Sequence, residues 1–238
     1  MAVSLLTYNV CFNSALNNFE KVFSLTRPDI LSLQEIETNE KNLKDVEKHG
    51  YKLADYSNSF IKFDKIYGLA TFYNPKTIEF LESSSFNLPR SYHEFFLVIL
   101  RGGNNPRTVL KTKFSVKGIK KIITSYNLHL SYLGTNGIRT KQMKATLDDM
   151  HLSRDENVLI AGDFNYPYQR KQFEELIEKY KLKEATNNLN CTFEGKFLKI
   201  FPLKWKLDYI LYKNLELIET KKIPLKASDH FPILSRFK

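Results

Sequence analysis

The sequence predicts an α/β fold in which two mixed β-sheets pack face to face and helices cover their outer faces. Three observations support this. Apolar, β-branched segments of strand length recur along the whole chain, nine of them. Apolar residues at helical spacing interrupt them, so crossover connections are mixed with hairpins. And nine or more strands crowd a single open sheet in a chain of 238 residues, whereas two stacked sheets bury them.

In chain order, "VSLLTYNV" is the first strand, and "ALNNFEKVFSLT" follows with Leu16, Phe19 and Phe23 at helical spacing. "DILSLQEI" is a second strand, Gly50 in "KHGY" marks a helix stop, and "YGLATFYN", "FFLVIL", "TVLKTKF" and "KIITSYNLHL" continue the strand pattern. "NGIRTKQMKATLDDMHLS" places Ile138, Met143, Leu147 and Met150 on one helix side. "NVLIAGDF" is again a strand, and "QRKQFEELIEKYKL" is a helix carrying Phe173, Leu176 and Tyr180. "LDYILY" and "PILSRF" complete the set. With 9 Gly, 8 Pro and no repeat or low-complexity tract, nothing reads as a linker, and residues 1–238 are expected to form one domain.

The formal net charge is +10, and from Phe95 to Leu147 there is no acid. That stretch holds Arg101, Arg107, Lys111, Lys113, Lys117, Lys120, Lys121, Arg139, Lys141 and Lys144. A one-signed run predicts a positive field that attracts polyanions. No apolar run reaches the roughly 18 residues of a membrane span, and the N-terminus lacks a signal pattern, so an intracellular protein is expected. Cys11 and Cys191 are far apart and show no CxxC spacing, which argues against a disulfide framework or zinc site and for small core residues.

Six strands carry polar groups at or near an end: Asn9; Glu35; Asn127 with His129; Asp163 with Asn165; Asp208; and Asp229 with His230. Period two puts Asp163 and Asn165 on one side of their strand, and Asn127 and His129 on one side of theirs. A single Asp or Asn at a strand end is ordinarily a turn former. Many carboxylates turned into one cleft are costly without a cation, and a hard divalent ion with oxygen ligands, such as Mg²⁺, resolves that cost.

The ordered set "TYNV", "LQEIE", "NLHL", "GDFN", "LDYIL" and "SDHFPI" resembles the endonuclease/exonuclease/phosphatase superfamily, over residues 7 to 233. The resemblance implies a four-layer α/β sandwich of the DNase I-like kind and hydrolysis of phosphate esters by a metal and an activated water. It implies that Glu35 is the principal Mg²⁺ ligand with Asn9 beside it, Mn²⁺ substituting, and Asp229 a second metal contact. Asp163 would orient or deprotonate the water, with Asn165 as its amide partner. His230 with Asp208 would form a His–Asp pair, and His129 would steady a non-bridging oxygen.

Within the superfamily, the histidine at His129 is similar to the branch of deoxyribonuclease I and tyrosyl-DNA phosphodiesterase 2 rather than to abasic-site nucleases, which carry a tyrosine there. "KWKLDYIL" resembles instead a segment of exonuclease III-type enzymes. Substrate contacts are expected from Asn127, Arg139, Trp205 and Arg90, the last in "FNLPRSYHEFF" with His93 nearby. Trp205 and Arg139 have a core or structural role as the competing reading, and Gln142 reads as structural. The expected function is a Mg²⁺-dependent nuclease or DNA-end-processing phosphodiesterase, with DNA as favoured partner, no obligate protein partner, and a monomer compatible with the fold. Its alternatives are a phosphoesterase for lipid headgroups, inositol phosphates or other small esters, and an inactive binding protein on the same fold.

Overall fold

Strand β1 (Val3–Asn9) is buried along its whole length, so it needs cover on both faces and a neighbour on both edges. It obtains these in the first sheet, where it lies between β2 (Ile30–Glu37), parallel to it, and the antiparallel β14 (Ile233–Phe237). The computed structural model describes residues 2–238 apart from 63, 91, 93–95, 97–106, 120 and 198–199; the expected strand "FFLVIL" falls outside the described residues. With β3 (Lys52–Lys62), β4 (Lys65–Tyr73) and β13 (Leu217–Lys222), the first sheet has the order β13-β14-β1-β2-β4-β3.

The second sheet repeats the plan around a second parallel pair, β7 (Lys121–His129) and β8 (Val158–Asp163). Its order is β5-β6-β7-β8-β12-β9, with β5 (Ile78–Asn87), β6 (Thr108–Val116), β9 (Lys183–Glu184) and β12 (Asp208–Lys213). Strands β10 (Phe193–Phe197) and β11 (Phe201–Trp205) form a separate hairpin.

Helices α1 (Phe19–Thr26) and α2 (Glu40–Glu47) cover the first sheet; α3 (Asn136–Leu152) and α4 (Arg170–Lys179) cover the second. The apolar residues separate into three clusters: Leu6, Tyr8 and Leu33 with α1 and α2; Tyr126, Leu128 and Ile160 with α3 and α4; and Val3, Leu5, Ile30, Ile123 and Leu159 between the sheets. Three apolar layers between four structural ones make the four-layer sandwich. On α3 the buried face runs Arg139, Gln142, Met143, Thr146, Leu147 and Met150, so Ile138, expected on it, is only half-buried. Gly50 ends the α2 region as read, at φ +90°.

The inter-sheet layer changes character toward one end. Along β1 it runs Val3, Leu5, Thr7, Asn9, and along β7 Ile123, Ser125, Asn127, His129. Apolar packing gives way to amides and hydroxyls and then to ionisable tips. At the middle level Asn127 ties the sheets together. Its amide nitrogen donates to the carbonyls of Leu33 and Ala70 at 3.1 Å each, and its oxygen accepts from Gln34 Nε2 at 2.8 Å. Asn127 is fully buried and its amide is consumed by the opposite sheet, so it is a cross-link one level below the tips, not the substrate contact expected.

Candidate active site

Strand register alone assembles most of the site. His129 is paired with Asp163 across β7 and β8, and Asp163 with Asp208 across β8 and β12. Gly162 makes the approach possible: a Cβ there would lie 1.9 Å from the Leu128 carbonyl oxygen, and its φ is +147°. Asn9 reaches over from β1 and donates to Asp163 Oδ2 at 3.0 Å.

Glu35 arrives by a different route. In a regular strand it would face away from Gln34, toward the helices. A register shift between Gln34 and Ile36, with Glu35 at φ +56°, breaks the alternation and brings its carboxylate 3.7 Å from His129 Nε2.

Asp163 and Asp208 would repel as directly opposed neighbours. His230 answers both, with Nδ1 at 2.8 Å from Asp208 Oδ2 and Nε2 at 3.6 Å from Asp163 Oδ2. Thr192 completes the pair: its hydroxyl donates to Asp208 Oδ2 at 2.7 Å and accepts from the Leu207 and Asp208 amides. Ser228 holds the preceding turn, donating to the Asn9 carbonyl and to Asp229 and accepting from the His230 amide.

The two imidazoles differ in charge. Burial works against a charged His230, but Asp208 and Asp163 outweigh it and push its pKa up to about 10. Burial drives His129 well below its ordinary value, reinforced by the charges of Arg107 and His230, so it is neutral. Burial also raises Asp163, to about 7 against the lowering effect of His230, and raises Glu35. An environment that separates the protonation states of like groups in this way is a mark of acid–base sites.

The sign of the linkage follows. Because the folded-state value of His230 lies above its unfolded 6.5, its pairing stabilises the metal-free fold fully below about pH 6.5 and loses that contribution as pH rises toward 10. In Asp208→Asn, the His230 ring proton observed by NMR should titrate at clearly lower pH than in the wild type. An unchanged midpoint would mean that Asp208 does not hold the ring's charge.

Among the described residues, the side chains whose ligating atoms all lie within 4.8 Å of one another are Asp163, Asp208 and His230. Glu35 and Asp163 are both raised by burial, and Asp208 Oδ1 has no hydrogen-bond partner among the described residues. Oxygen donors short of positive charge suit a hard divalent cation. Asn9, expected as a metal ligand, lies beside Glu35, but its oxygen accepts from the Cys11 amide and its nitrogen clamps Asp163. Asn165 lies beyond the end of β8 at φ +48°, so its amide meets Asp163 Oδ1 at 2.9 Å through a turn, not through strand alternation. Its side chain donates to the Leu130 carbonyl.

The outlying expectations divide. Arg139 is buried and donates to the carbonyls of Ser131 and Tyr132 and to Asn136, so it fixes the loop after β7 and does not reach outward to substrate. Gln142 braces the same loop, as read. Trp205 is 41% exposed, stacked on Phe193 at 6.4 Å, and Phe193 in turn meets His230 edge-on at 4.9 Å. Arg90 is exposed, next to Pro89, whose carbonyl accepts from Gln142. His93 lies outside the described residues. Cys11 is half-buried beside the site, its thiol pushed up to about 12 by burial and by Asp229, so it is not the plain core residue expected.

The acid-free stretch does not remain one-signed in three dimensions. Lys111 pairs with Asp149 and Asp155, Lys113 with Glu82, and Lys144 with Asp148, while Arg107 and Arg139 are buried. Arg107, which lies close enough to lower His129, is a site neighbour that the sequence did not single out. Thr192 and Ser228 were likewise missed.

The fold and the row of acids and imidazoles at the strand tips define a phosphoesterase of the hydrolase class. The chain matches the Endonuclease/Exonuclease/phosphatase family over residues 6–230 and belongs to it. Among curated proteins none matches. An endonuclease/exonuclease/phosphatase family protein from Bacteroides thetaiotaomicron superposes with a TM-score of 0.80 at 18% identity, covering 100% of this chain and 97% of that one. A mannosyl-6-phosphatase of Bacteroides thetaiotaomicron VPI-5482 gives 0.77 at 17% identity, with 99% of each chain covered. TDP2 of D. rerio, complexed with a single-strand DNA product, gives 0.71 at 17% identity over 100% of this chain and 99% of that one. Among the described residues no helix is long and apolar enough to cross a membrane.

Proposed function

We propose that this protein is a Mg²⁺-dependent phosphodiesterase acting on nucleic acid, with DNA the favoured substrate. The observation that carries the reading is that aromatic rings flank both site imidazoles: Phe193 is edge-on to His230 and Phe60 is edge-on to His129 at 6.5 Å. Rings beside a phosphate site suit bases next to the scissile linkage, and the net charge of +10 suits a polyanion. The DNA product bound to TDP2 supports the same direction.

Glu35 and Asp229, with Asp163 beside them, would hold the ion; when bound, Mg²⁺ supplies charge that stabilises the phosphate oxygens in the transition state. The chain's own groups do the rest. Asp163, pushed up to about 7, is poised to accept the proton of the attacking water, with Asn9 and the Asn165 amide fixing its two oxygens. His230, cationic and held by Asp208, clamps a phosphate oxygen. His129, neutral, donates an N–H to a second one without adding charge.

The test is purified protein with labelled single- and double-stranded oligonucleotides, including abasic and 5′-tyrosyl ends, in Mg²⁺ or EDTA. Cleavage that needs Mg²⁺ and falls steeply with salt is expected. Turnover of a small phosphate ester with none of any oligonucleotide would replace this reading by the small-ester one, which the likeness to a mannosyl-6-phosphatase favours.

A further inference from the structure

Three consecutive non-glycine residues after β1 occupy the left-handed region: Cys11 at φ +43°, Phe12 at +54° and Asn13 at +70°. Cys11 and Phe12 are held there against their own preference, whereas Asn13 tolerates it. The Cys11 amide donates to Asn9 Oδ1, Asn13 exchanges hydrogen bonds with the Glu37 amide and carboxylate, and Ser14 donates to the carbonyls of Val10 and Ala227. What this loop delivers is the ring of Phe12. It meets Phe60 edge-on at 5.8 Å and Tyr67 edge-on at 5.2 Å, while Phe60 stacks on Tyr67 at 5.6 Å.

These rings are not ordinary core. Phe12 and Phe60 are only half-buried, and Phe60 is edge-on to His129. The Lys62 ammonium lies 3.7 Å from the Phe12 ring centroid. A constrained aromatic face capped by an exposed cation, two rings away from a phosphate-site imidazole, has the chemistry of a nucleotide site. The ring stacks on a base and the cation meets the next phosphate.

We propose that Phe12, Phe60 and Lys62 form a subsite for an unpaired nucleobase on the Glu35–His129 side of the active site, opposite the Phe193–Trp205 pair. The proposal rests on the nucleic-acid reading above. An arriving base stacks on Phe12 in the place that the Lys62 ammonium takes over the ring, and the ammonium turns to the neighbouring phosphate. Only an unpaired base offers its face, so the substrate is single-stranded at this position.

The experiment uses single-stranded oligonucleotides that each carry one base-free tetrahydrofuran residue, stepped across the cleaved linkage, with wild type, Phe12→Leu and Lys62→Ala. At one position the wild type should lose about tenfold in kcat/KM when the base is removed. Phe12→Leu should lose about tenfold on the intact oligonucleotide and nothing further at that position. Lys62→Ala should flatten the salt dependence by about one phosphate contact. Absence of a base penalty at every position in the wild type, or an equal penalty in wild type and Phe12→Leu, would overturn the subsite while leaving nuclease activity intact. Failure of the wild type to cleave any oligonucleotide would overturn the nucleic-acid reading and the subsite with it.

Discussion

His230→Ala and Glu35→Ala are each expected to lower kcat by about 10²- to 10⁴-fold in a chain that still folds, and His230→Ala also lowers the melting temperature because it leaves Asp208 and Asp163 opposed without the charge between them. Glu35 comes from β2 and His230 from the segment before β14, and in the proposed mechanism they take different roles on one phosphate, so neither can replace the other. Among the described residues, His230 is the imidazole that the site keeps charged, because Asp208 and Asp163 face it. Glu35 supplies the acid that a bulge was needed to deliver. Both sit at the polar end of the inter-sheet layer, away from the apolar levels that hold the fold, and Asp208 keeps its Thr192 bond when the imidazole is removed. His230→Gln and Glu35→Gln, which retain volume and polarity, guard against a trivial packing loss. Near-wild-type turnover by either folded alanine variant would remove these residues from the reaction.

Asn127→Ala should act in the opposite way, lowering stability by about 3 kcal/mol or more while KM of the folded fraction is unchanged. The substitution takes the Asn127 amide away from two carbonyls between the sheets and leaves Gln34 with Thr7 and Ser32 as its remaining acceptors, and each buried group left without a partner costs about 1–3 kcal/mol. Urea denaturation gives the stability and initial rates give KM. A raised KM with an unmoved urea midpoint would return Asn127 to the substrate.

The contrast between His129 and Asn127 shows what the sequence can and cannot disclose. Alternation along β7 puts both on the inter-sheet face, and that much was readable. Depth was not, because it depends on which carbonyls of the facing sheet lie opposite, and those come from β2 and β4, more than 50 residues away. Glu35 was legible as a residue type at a strand tip, but its direction comes from a bulge that no local composition announces. Arg139 was placed correctly on a helix face, but its partners are carbonyls of a loop that the sequence cannot position. The acid-free window was a true count and a poor guide to surface charge, since Glu82, Asp148, Asp149 and Asp155 lie just outside it and fold back.

The fold class was legible for a simple reason: the central strands are buried on both faces and read as continuous apolar runs. Strands β5, β9, β10, β11 and β13 were missed because they are edge or hairpin strands of mixed polarity, as in the sequence "IEFLESSSFN". Thr192 and Ser228 act through single hydroxyl bonds inside turns, where Ser and Thr are commonplace.

Strand β1 takes one of its two neighbours, β14, from the other end of the chain, with Val3 opposite Phe237. On the ribosome this imposes an order of events. Strand β1 waits for more than 200 residues of synthesis before that edge is closed, and closing so long a loop makes folding slow. His230 emerges three residues before β14. The charged imidazole of the site and the strand that completes the first sheet therefore arrive together, and a chain interrupted before that point has neither. Synthesis thus passes through no stage in which a nascent, partly folded hydrolase already carries its full set of reactive groups.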